Sequence, residues 1–584
     1  MNNTLKRTIS VFMSIAIIFS FSAFNKGGKK IDAKPANFDE YLNQKFIEGV
    51  KSDSISLHFS LVNPEKQGIK DFKPTMGEIT KEDAKKDVAK AKKELDELLK
   101  YDYKALTQSQ KQDYDVLKYA LETDVKYAEF AYYGEPIAPL LGIQSQLPTL
   151  LPEYAFRVEK DISDYILLVK DVERYFDDII EYEKSKSKAG LFMSDAIAQK
   201  VIDECNELVK NVDKTALVTV FDKKVDSFKD LSAEKREKYK KENLQAVEVF
   251  KKAYSKLSKE LTNLKGTGKN DKGLAGLKNG KEYYEVLVRD NVGSEKTVTQ
   301  LKKSIEEKLL SQIIAMQKIT QKDDKVFDRM KTAKPSVTEP AKMIELLKSQ
   351  IKDFVPELEH VDYELKKVEK EMQDTTSPAF YIIPPIDEPS KNVIYVNDKT
   401  TNTPIGTFST LAHEGYPGHL YQNNYFSQKS PSKIRRVLNF SGYTEGWANY
   451  IEGYSYFMAD LNDNNLEELL SIDNTLGLLL SARADIGVNY EGWGKPELKK
   501  YLEAYGMGED AVVSSVFSSV IENPANYLSY QCGSLEIEEL QRKAEKSLGK
   551  KYNIKEFNRA ILDVGPAPFK MVAESVDKYI DANS

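Results

Sequence analysis

Two histidines and a glutamate stand together in LAHEGYPGHLYQ (411–422), and the whole chain of 584 residues holds only four histidines. Imidazole nitrogens and carboxylate oxygens are ordinary ligands of catalytic zinc, which takes three protein donors and keeps one position for water. In the common H-E-x-x-H arrangement the second histidine follows at i+4, on the same helical face. Here that position is Pro417, and the second histidine, His419, comes at i+6. On an unbroken helix His419 would lie about 120° around and about 9 Å along from His413, too far to share one ion. Pro417 lacks the N–H that would bond the His413 carbonyl, and its ring clashes there. Gly418 adds freedom to take unusual dihedrals. The spacing therefore predicts a helix that starts at Thr403–Pro404, breaks at Pro417–Gly418 and returns His419 to the ion. On that helix His413 and Glu414 face different ways, one as ligand and the other toward a water.

The third ligand must come from another element. SGYTEGWANYIEGY (441–454) places Glu445, Asn449 and Glu452 on one helical face at steps of four and three. Glu445 is the expected ligand because Gly446 beside it lets backbones approach closely; Glu452 is the alternative. The remaining histidines, His58 and His360, stand in segments without clustered ligands and read as structural. A developing oxyanion also needs a hydrogen-bond donor. Tyr530 in ANYLSYQCG is the first candidate, since a phenol beside small residues can approach a substrate, and Tyr527 is the second. Arg483 in SARADIG could anchor a substrate carboxylate through bidentate hydrogen bonds, or pair instead with Asp485 or Glu491.

The elements that carry these residues read as helices. In 81–100, Ala84, Val88, Ala91, Leu95 and Leu98 recur at steps of three and four among charges; in 296–317, Val298, Leu301, Ile305, Leu309 and Ile313 do the same. Thr297 with Gln300 forms a capping-box pattern, and similar periodicity marks 155–185, 195–212 and 341–354, with Pro340 suited to a first turn. One section differs: AFYIIPPIDEPSKNVIYVND (379–398) has two β-branched and aromatic runs, Phe380–Ile383 and Val393–Val396, around a Pro-rich turn, which predicts a hairpin. A strand beside the catalytic helix could bind an extended peptide along its edge. The Gly/Lys-rich stretch 265–281 reads as a linker; its GTGK lacks the phosphate-loop spacing. The expected organisation is a segment 1–32 to be set aside, an N-terminal helical part 33–265 and a catalytic helical part 266–584.

Lys and Arg number 85 against 91 acids, a net charge of −6, which leaves no electrostatic footprint for nucleic acid. Residues 1–32 combine Lys6 and Arg7 with an apolar run from Ile9 to Phe24, the form of a secretory signal or of a retained N-terminal anchor. Either places the body outside the cytoplasm, secreted or on the cell surface, with membrane association only through this segment. Cys205 and Cys532 are the only cysteines, too few for a zinc cluster, and read as separate buried thiols; one long-range disulfide is the alternative.

HEGYPGH and YTEGWANYIE resemble the H-E-x-x-P-G-H and E-G-W-A-x-Y-x-E signatures of bacterial domain-of-unknown-function family 885, regarded as akin to mostly helical zinc peptidases with a His/His/Glu site. The resemblance continues through YIIPPIDEPSKNVIYVN, RADIGVNYEGW (483–493) and the long stretch 523–569. It implies a mainly α, two-part helical fold around a deep channel, with the small hairpin near the site. It implies metal-dependent hydrolysis of peptides, with His413, His419 and Glu445 holding one Zn²⁺ and Glu414 as general base. Three positions depart from the family pattern. Asn489 and Asn558 stand where the family often has histidine, and Leu420 where a histidine often follows His419. Two other readings stay open: a peptide- or solute-binding protein without turnover, and a metal-dependent hydrolase of other amides or esters.

Overall fold

Apolar side chains at steps of three and four build most of the chain into helices. The computed structural model describes residues 37–584 apart from 71, 80–83, 140–141, 213–214, 269, 369, 371–372, 374–376 and 400–402. The N-terminal signal or anchor thus lies outside the described residues. No helix among the described residues is long and apolar enough to cross a membrane. The chain divides into two compact units, one formed by 37–271 with Pro385–Glu388, the other by Lys272–Pro384 and Pro389–Ser584.

Three helices organise the first unit: α1 (Glu159–Ala189), α2 (Asp195–Asn211) and α3 (Ala233–Leu264). α1 buries Ile162, Tyr165, Ile166, Val169, Val172, Phe176, Ile179 and Ile180 on one stripe and stops at Gly190, whose φ of 73° suits glycine. α3 packs on both α1 and α2.

The second unit holds α4 (Gly280–Val292), α5 (Val298–Lys322) and α6 (Pro340–Gln350), then a small sheet, then helices to the C-terminus. The expected capping box is present: the Gln300 N–H donates to Thr297 Oγ1 at 3.3 Å and the Thr297 N–H to Gln300 Oε1 at 2.8 Å. Pro340 occupies the first turn of α6. The hairpin forms from β2 (Ala379–Ile382) and β3 (Asn392–Val396), paired antiparallel with Phe380 opposite Tyr395. A further strand, β1 (Tyr363–Lys367), adds to β3 in parallel, giving the order β1-β3-β2. β2 is therefore an edge strand. After the sheet come α7 (Pro404–Glu414), α8 (His419–Gln428), α9 (Ser441–Ser455), α10 (Asn464–Asn489), α11 (Lys495–Glu503), α12 (Asp510–Glu522), α13 (Asn526–Leu548), α14 (Ile554–Leu562) and α15 (Phe569–Asn583).

Candidate metal centre

The interruption written into HEGYPGH separates α7 from α8. Thr403 caps α7, its Oγ1 accepting the Gly406 N–H at 3.1 Å, and Pro404 follows in the first turn. The helix ends at Glu414, and Gly418 turns the chain back so that its N–H donates to the Ala412 carbonyl at 2.9 Å. A Cβ at Gly418 would sit 1.8 Å from the His413 carbonyl oxygen, so no larger residue fits that turn. The turn is tied to α9 by the Trp447 indole N–H, which donates to the Pro417 carbonyl at 2.9 Å. α8 then starts at His419 itself.

α9 reaches this turn because its backbone comes unusually close to α13. A Cβ at Gly446 would lie 2.4 Å from the Gly533 carbonyl carbon, and one at Gly533 would lie 2.0 Å from the Gly442 oxygen. Gly442 in turn faces the Val292 carbonyl at the end of α4, at 2.0 Å for a Cβ. The crossing sets Glu445 of α9 and Tyr530 of α13 around the same imidazole, with the Tyr530 and His413 ring centroids 6.4 Å apart.

His413, His419 and Glu445 are all buried, and one ligand atom from each lies within 4.8 Å of the others. Glu445 Oε2 stands 3.5 Å from His413 Nε2 and 3.5 Å from His419 Nε2. That is too long for a hydrogen bond, and all three atoms lack a hydrogen-bond partner. Donors about 2.0–2.1 Å from a tetrahedral ion stand roughly 3.3 Å apart. Three buried polar atoms with no partner, converging at this spacing, fit a metal ion, and the group could hold one. The rings of His413 and His419 meet nearly edge-on, at 88° and 4.7 Å between centroids.

Glu452, two helical turns after Glu445 on the same face, takes a different part. Its Oε2 lies 3.2 Å from His413 Nδ1. A carboxylate on Nδ1 keeps the proton there and leaves Nε2 with its lone pair toward the ligand cluster. Glu452 would thus set the tautomer of a metal-bound His413 from outside the ligand set, a role the sequence reading did not give it. The signal was the face it shares with Glu445.

Glu414 is buried and its two oxygens are treated differently. Oε2 accepts the Tyr381 N–H of β2 at 3.0 Å, while Oε1 has no partner. Burial pushes this carboxyl up from its ordinary range, against the His419 and His413 imidazoles. Glu445 is held down at about 2: burial works the other way, but the facing imidazoles of His419 and His413 prevail. Burial would lower His413, yet Glu445, Glu452 and Glu414 around it raise it well above the ordinary imidazole value. Both shifts have one meaning: the cluster stabilises added positive charge between His413 and Glu445.

Tyr530 is half-buried beside this group. Burial raises its phenol well above the usual value, helped by the charges of Glu445 and Glu414 and by a hydrogen bond to Glu445. Tyr527 is directed elsewhere; burial raises its phenol, a Ser519 hydrogen bond opposes this, and Asp485 and Glu522 add to it. Arg483 is not joined to the metal group by any contact. Its Nε donates to Glu306 at 2.8 Å and its Nη2 to Glu491 at 2.9 Å, and its guanidinium lies 4.4 Å over the Trp493 ring. Of the two partners the sequence offered, Glu491 is taken and Asp485 is not. Two carboxylates already match its charge, so the geometry gives it no unbalanced charge for a substrate carboxylate.

The two asparagines hold backbone. Asn489 donates to Asp485 Oδ1 at 3.0 Å and to the Val520 carbonyl at 2.8 Å, and accepts the Leu274 N–H at 3.1 Å. Asp485 in turn accepts the Ala525 N–H at 2.9 Å, fixing the start of α13 that carries Tyr527 and Tyr530. Asn558 donates to the Phe354 carbonyl at 2.8 Å. Leu420 is fully buried on α8. His58 stacks on Tyr154 at 3.5 Å and accepts the Ala155 N–H, and His360 is exposed beside Asp362. Cys205 and Cys532 are both free and buried.

The family model described as bacterial protein of unknown function, DUF885, matches residues 64–576. The chain belongs to this family. No curated protein matches it. Among solved structures, a candidate lipoprotein from Colwellia psychrerythraea is similar at TM-score 0.81 and 18% identity, over 94% of this chain and 100% of that one. A candidate lipoprotein of unknown function from Shewanella oneidensis is similar at TM-score 0.64 and 16% identity, over 92% of this chain and 99% of the other. At these identities the likeness is one of fold, and for this DUF885 member the chemistry rests on its own residues.

Proposed function

We propose that the protein is a zinc-dependent peptidase acting outside the cytoplasm. The observation that carries this reading is the convergence of three partnerless buried ligand atoms beside Glu414, whose one bound oxygen is fixed by a strand and whose other oxygen is open. His413, His419 and Glu445 would hold the ion. When bound, zinc supplies Lewis-acid polarisation of a carbonyl and acidification of a water. Glu414 Oε1 takes the proton of the attacking water and returns it to the leaving amine; the Tyr381 N–H on Oε2 keeps the carboxylate aimed during both transfers. Its raised affinity for protons suits a base that must also act as acid. Tyr530 would donate to the developing oxyanion, a role supported by its ring standing 6.4 Å from that of His413.

The peptide substrate class is supported by β2. β2 is an edge strand and its Tyr381 N–H reaches Glu414 on the side away from β3, so an extended chain laid alongside that strand would pass the base. The signal-like N-terminus supports the location, as does the candidate-lipoprotein description of the two similar structures, although no cysteine stands directly after the apolar run here. The test is elemental analysis and peptide-library cleavage by the purified protein and by Glu414→Gln. About one equivalent of zinc in both, with cleavage only by the unaltered protein, is the expected result. Zinc retained with no cleavage of any peptide would remove the peptidase reading and favour a binding protein or a hydrolase of other amides.

A further inference from the structure

A concavity in the same unit shares no residue with the metal group. It has a volume of about 570 Å³, within the range of small-molecule sites. α5 supplies an aliphatic wall with Leu309, Leu310 and Ile313, and Trp493, Tyr501 and Tyr505 supply aromatic walls. The Trp493 indole lies flat along α10, over Arg483 and against Gly487, where a Cβ would come within 2.3 Å of the ring. Leu310 is 60% exposed, so an apolar side chain is held at the mouth without a protein partner to cover it.

The polar content of this cavity is specific. Arg483 is 7% exposed; its Nε and Nη2 are committed to Glu306 and Glu491, and its Nη1 has no partner. The Tyr501 hydroxyl is likewise buried without a partner. A buried guanidinium N–H and a buried phenol left open normally cost stability, and both belong to residues that line one apolar cavity. The charges of the lining are already balanced, Arg483 and Lys500 against Glu306 and Glu497, and Glu491, the second partner of Arg483, is itself paired with Lys302 at 2.9 Å. A carboxylate brought to Nη1 would add a third negative group to the lining's two, whereas a neutral oxygen would satisfy the donor and leave the balance intact.

We propose that this cavity is a second binding site, for a small uncharged molecule that joins a flat apolar ring to a carbonyl or amide oxygen. The oxygen accepts from Arg483 Nη1 and the Tyr501 hydroxyl, and the ring packs among Trp493, Leu310 and Ile313. The site does not depend on the hydrolase reading and needs no metal.

The molecule carries its own reporter. The chain has two tryptophans: Trp447 is fully buried and bonded to Pro417, and Trp493 lines the cavity. The experiment titrates the full chain with N-acetylphenylalanine amide and with N-acetylphenylalanine as the carboxylate, following indole emission. The expected result is a saturable change with the amide and binding about tenfold weaker for the carboxylate. Arg483→Met and Tyr501→Phe should each weaken the amide about tenfold, the size of one lost hydrogen bond to a buried charged or polar group. Should Arg483→Met fail to fold, Tyr501→Phe and the exposed-wall change Leu310→Ser carry the test. No saturable response, carboxylate binding as tight as the amide, or unchanged affinity in both Tyr501→Phe and Leu310→Ser would overturn the proposal.

Discussion

Two of the places where this molecule buries acidic side chains treat the charge in opposite ways. In the first unit Glu183 and Lys186 are both fully buried on α1. Lys186 is committed: its Nζ donates to the Gly134 carbonyl at 3.1 Å and pairs closely with Glu135, leaving Glu183 Oε1 3.8 Å away. Glu183 accepts no hydrogen bond. Burial pushes its carboxyl up to about 8, with Lys186 opposing and Glu135 adding, so it is protonated at neutral pH. At the metal group, Glu445 is just as deep yet is held at about 2. The difference is the neighbours. An amine brings a fixed charge and directs it to one partner, and the second acid then gives its charge up. Imidazoles carry charge only when protonated, and it is their protonated forms that hold Glu445 down here; a metal ion would take the place of those protons.

This contrast is broken most severely at Glu445. Glu445→Ala should abolish stoichiometric metal, an effect well beyond the roughly 10–100-fold of an outer-sphere change; a chelator should then lower the melting temperature of the unaltered protein and leave the variant unmoved. Next in size is Glu414→Gln, expected to retain metal and lose roughly 100- to 10,000-fold in peptide turnover, the range of a positioned general base. Glu452→Gln should cost roughly 10–100-fold in metal affinity through His413 Nδ1, read by competition with a chromogenic chelator. Retention of full affinity there would show that the tautomer is set without Glu452.

The smallest effect is expected at Glu183. Its folded-state carboxyl titrates near 8, above the ordinary 4.5. The folded protein therefore holds a proton that the unfolded chain releases, and the stability this group contributes is complete below about pH 4.5 and lost as pH rises through 8. Glu183→Gln, which imitates the protonated acid, should leave stability near pH 4 within about 1 kcal/mol of the unaltered protein and exceed it increasingly as pH rises toward 8. It should also flatten the decline between pH 5 and 8, as followed by urea denaturation across that range. An unchanged pH slope would mean that Glu183 is ionised in the folded chain and that the comparison with Glu445 fails.

Local sequence announced the parts of the site whose causes are local. Pro417 and Gly418 break the helix for reasons confined to their own backbone, and α8 begins at His419. Glu445 beside Gly446 was legible because glycine on a helix face implies close approach, and α13 supplies the approaching backbone. Glu452 was visible only as a second acid on that face; that it meets Nδ1 depends on where α7 crosses α9. β1 was not legible at all: YELKK has no apolar alternation, and it becomes a strand by pairing in parallel with β3, 29 positions on. Arg483 was left open between a carboxylate anchor and a partner of Asp485 or Glu491 for the same reason, since one of its carboxylates, Glu306, lies 177 residues away. Long-range partners decide between anchor and scaffold, and a single chain read in order does not contain them.

The glycine crossing of α9 and α13 also bears on how this protein would look to a genetic screen. Gly442, Gly446 and Gly533 have no functional group to lose, yet any substitution must drive two helices apart and carry Glu445 away from both imidazoles. In a saturation scan these three positions should be as intolerant as the ligands themselves, and intolerant of alanine as much as of tryptophan. A map of essential positions drawn from such a scan would outline the centre partly by residues that never touch its chemistry.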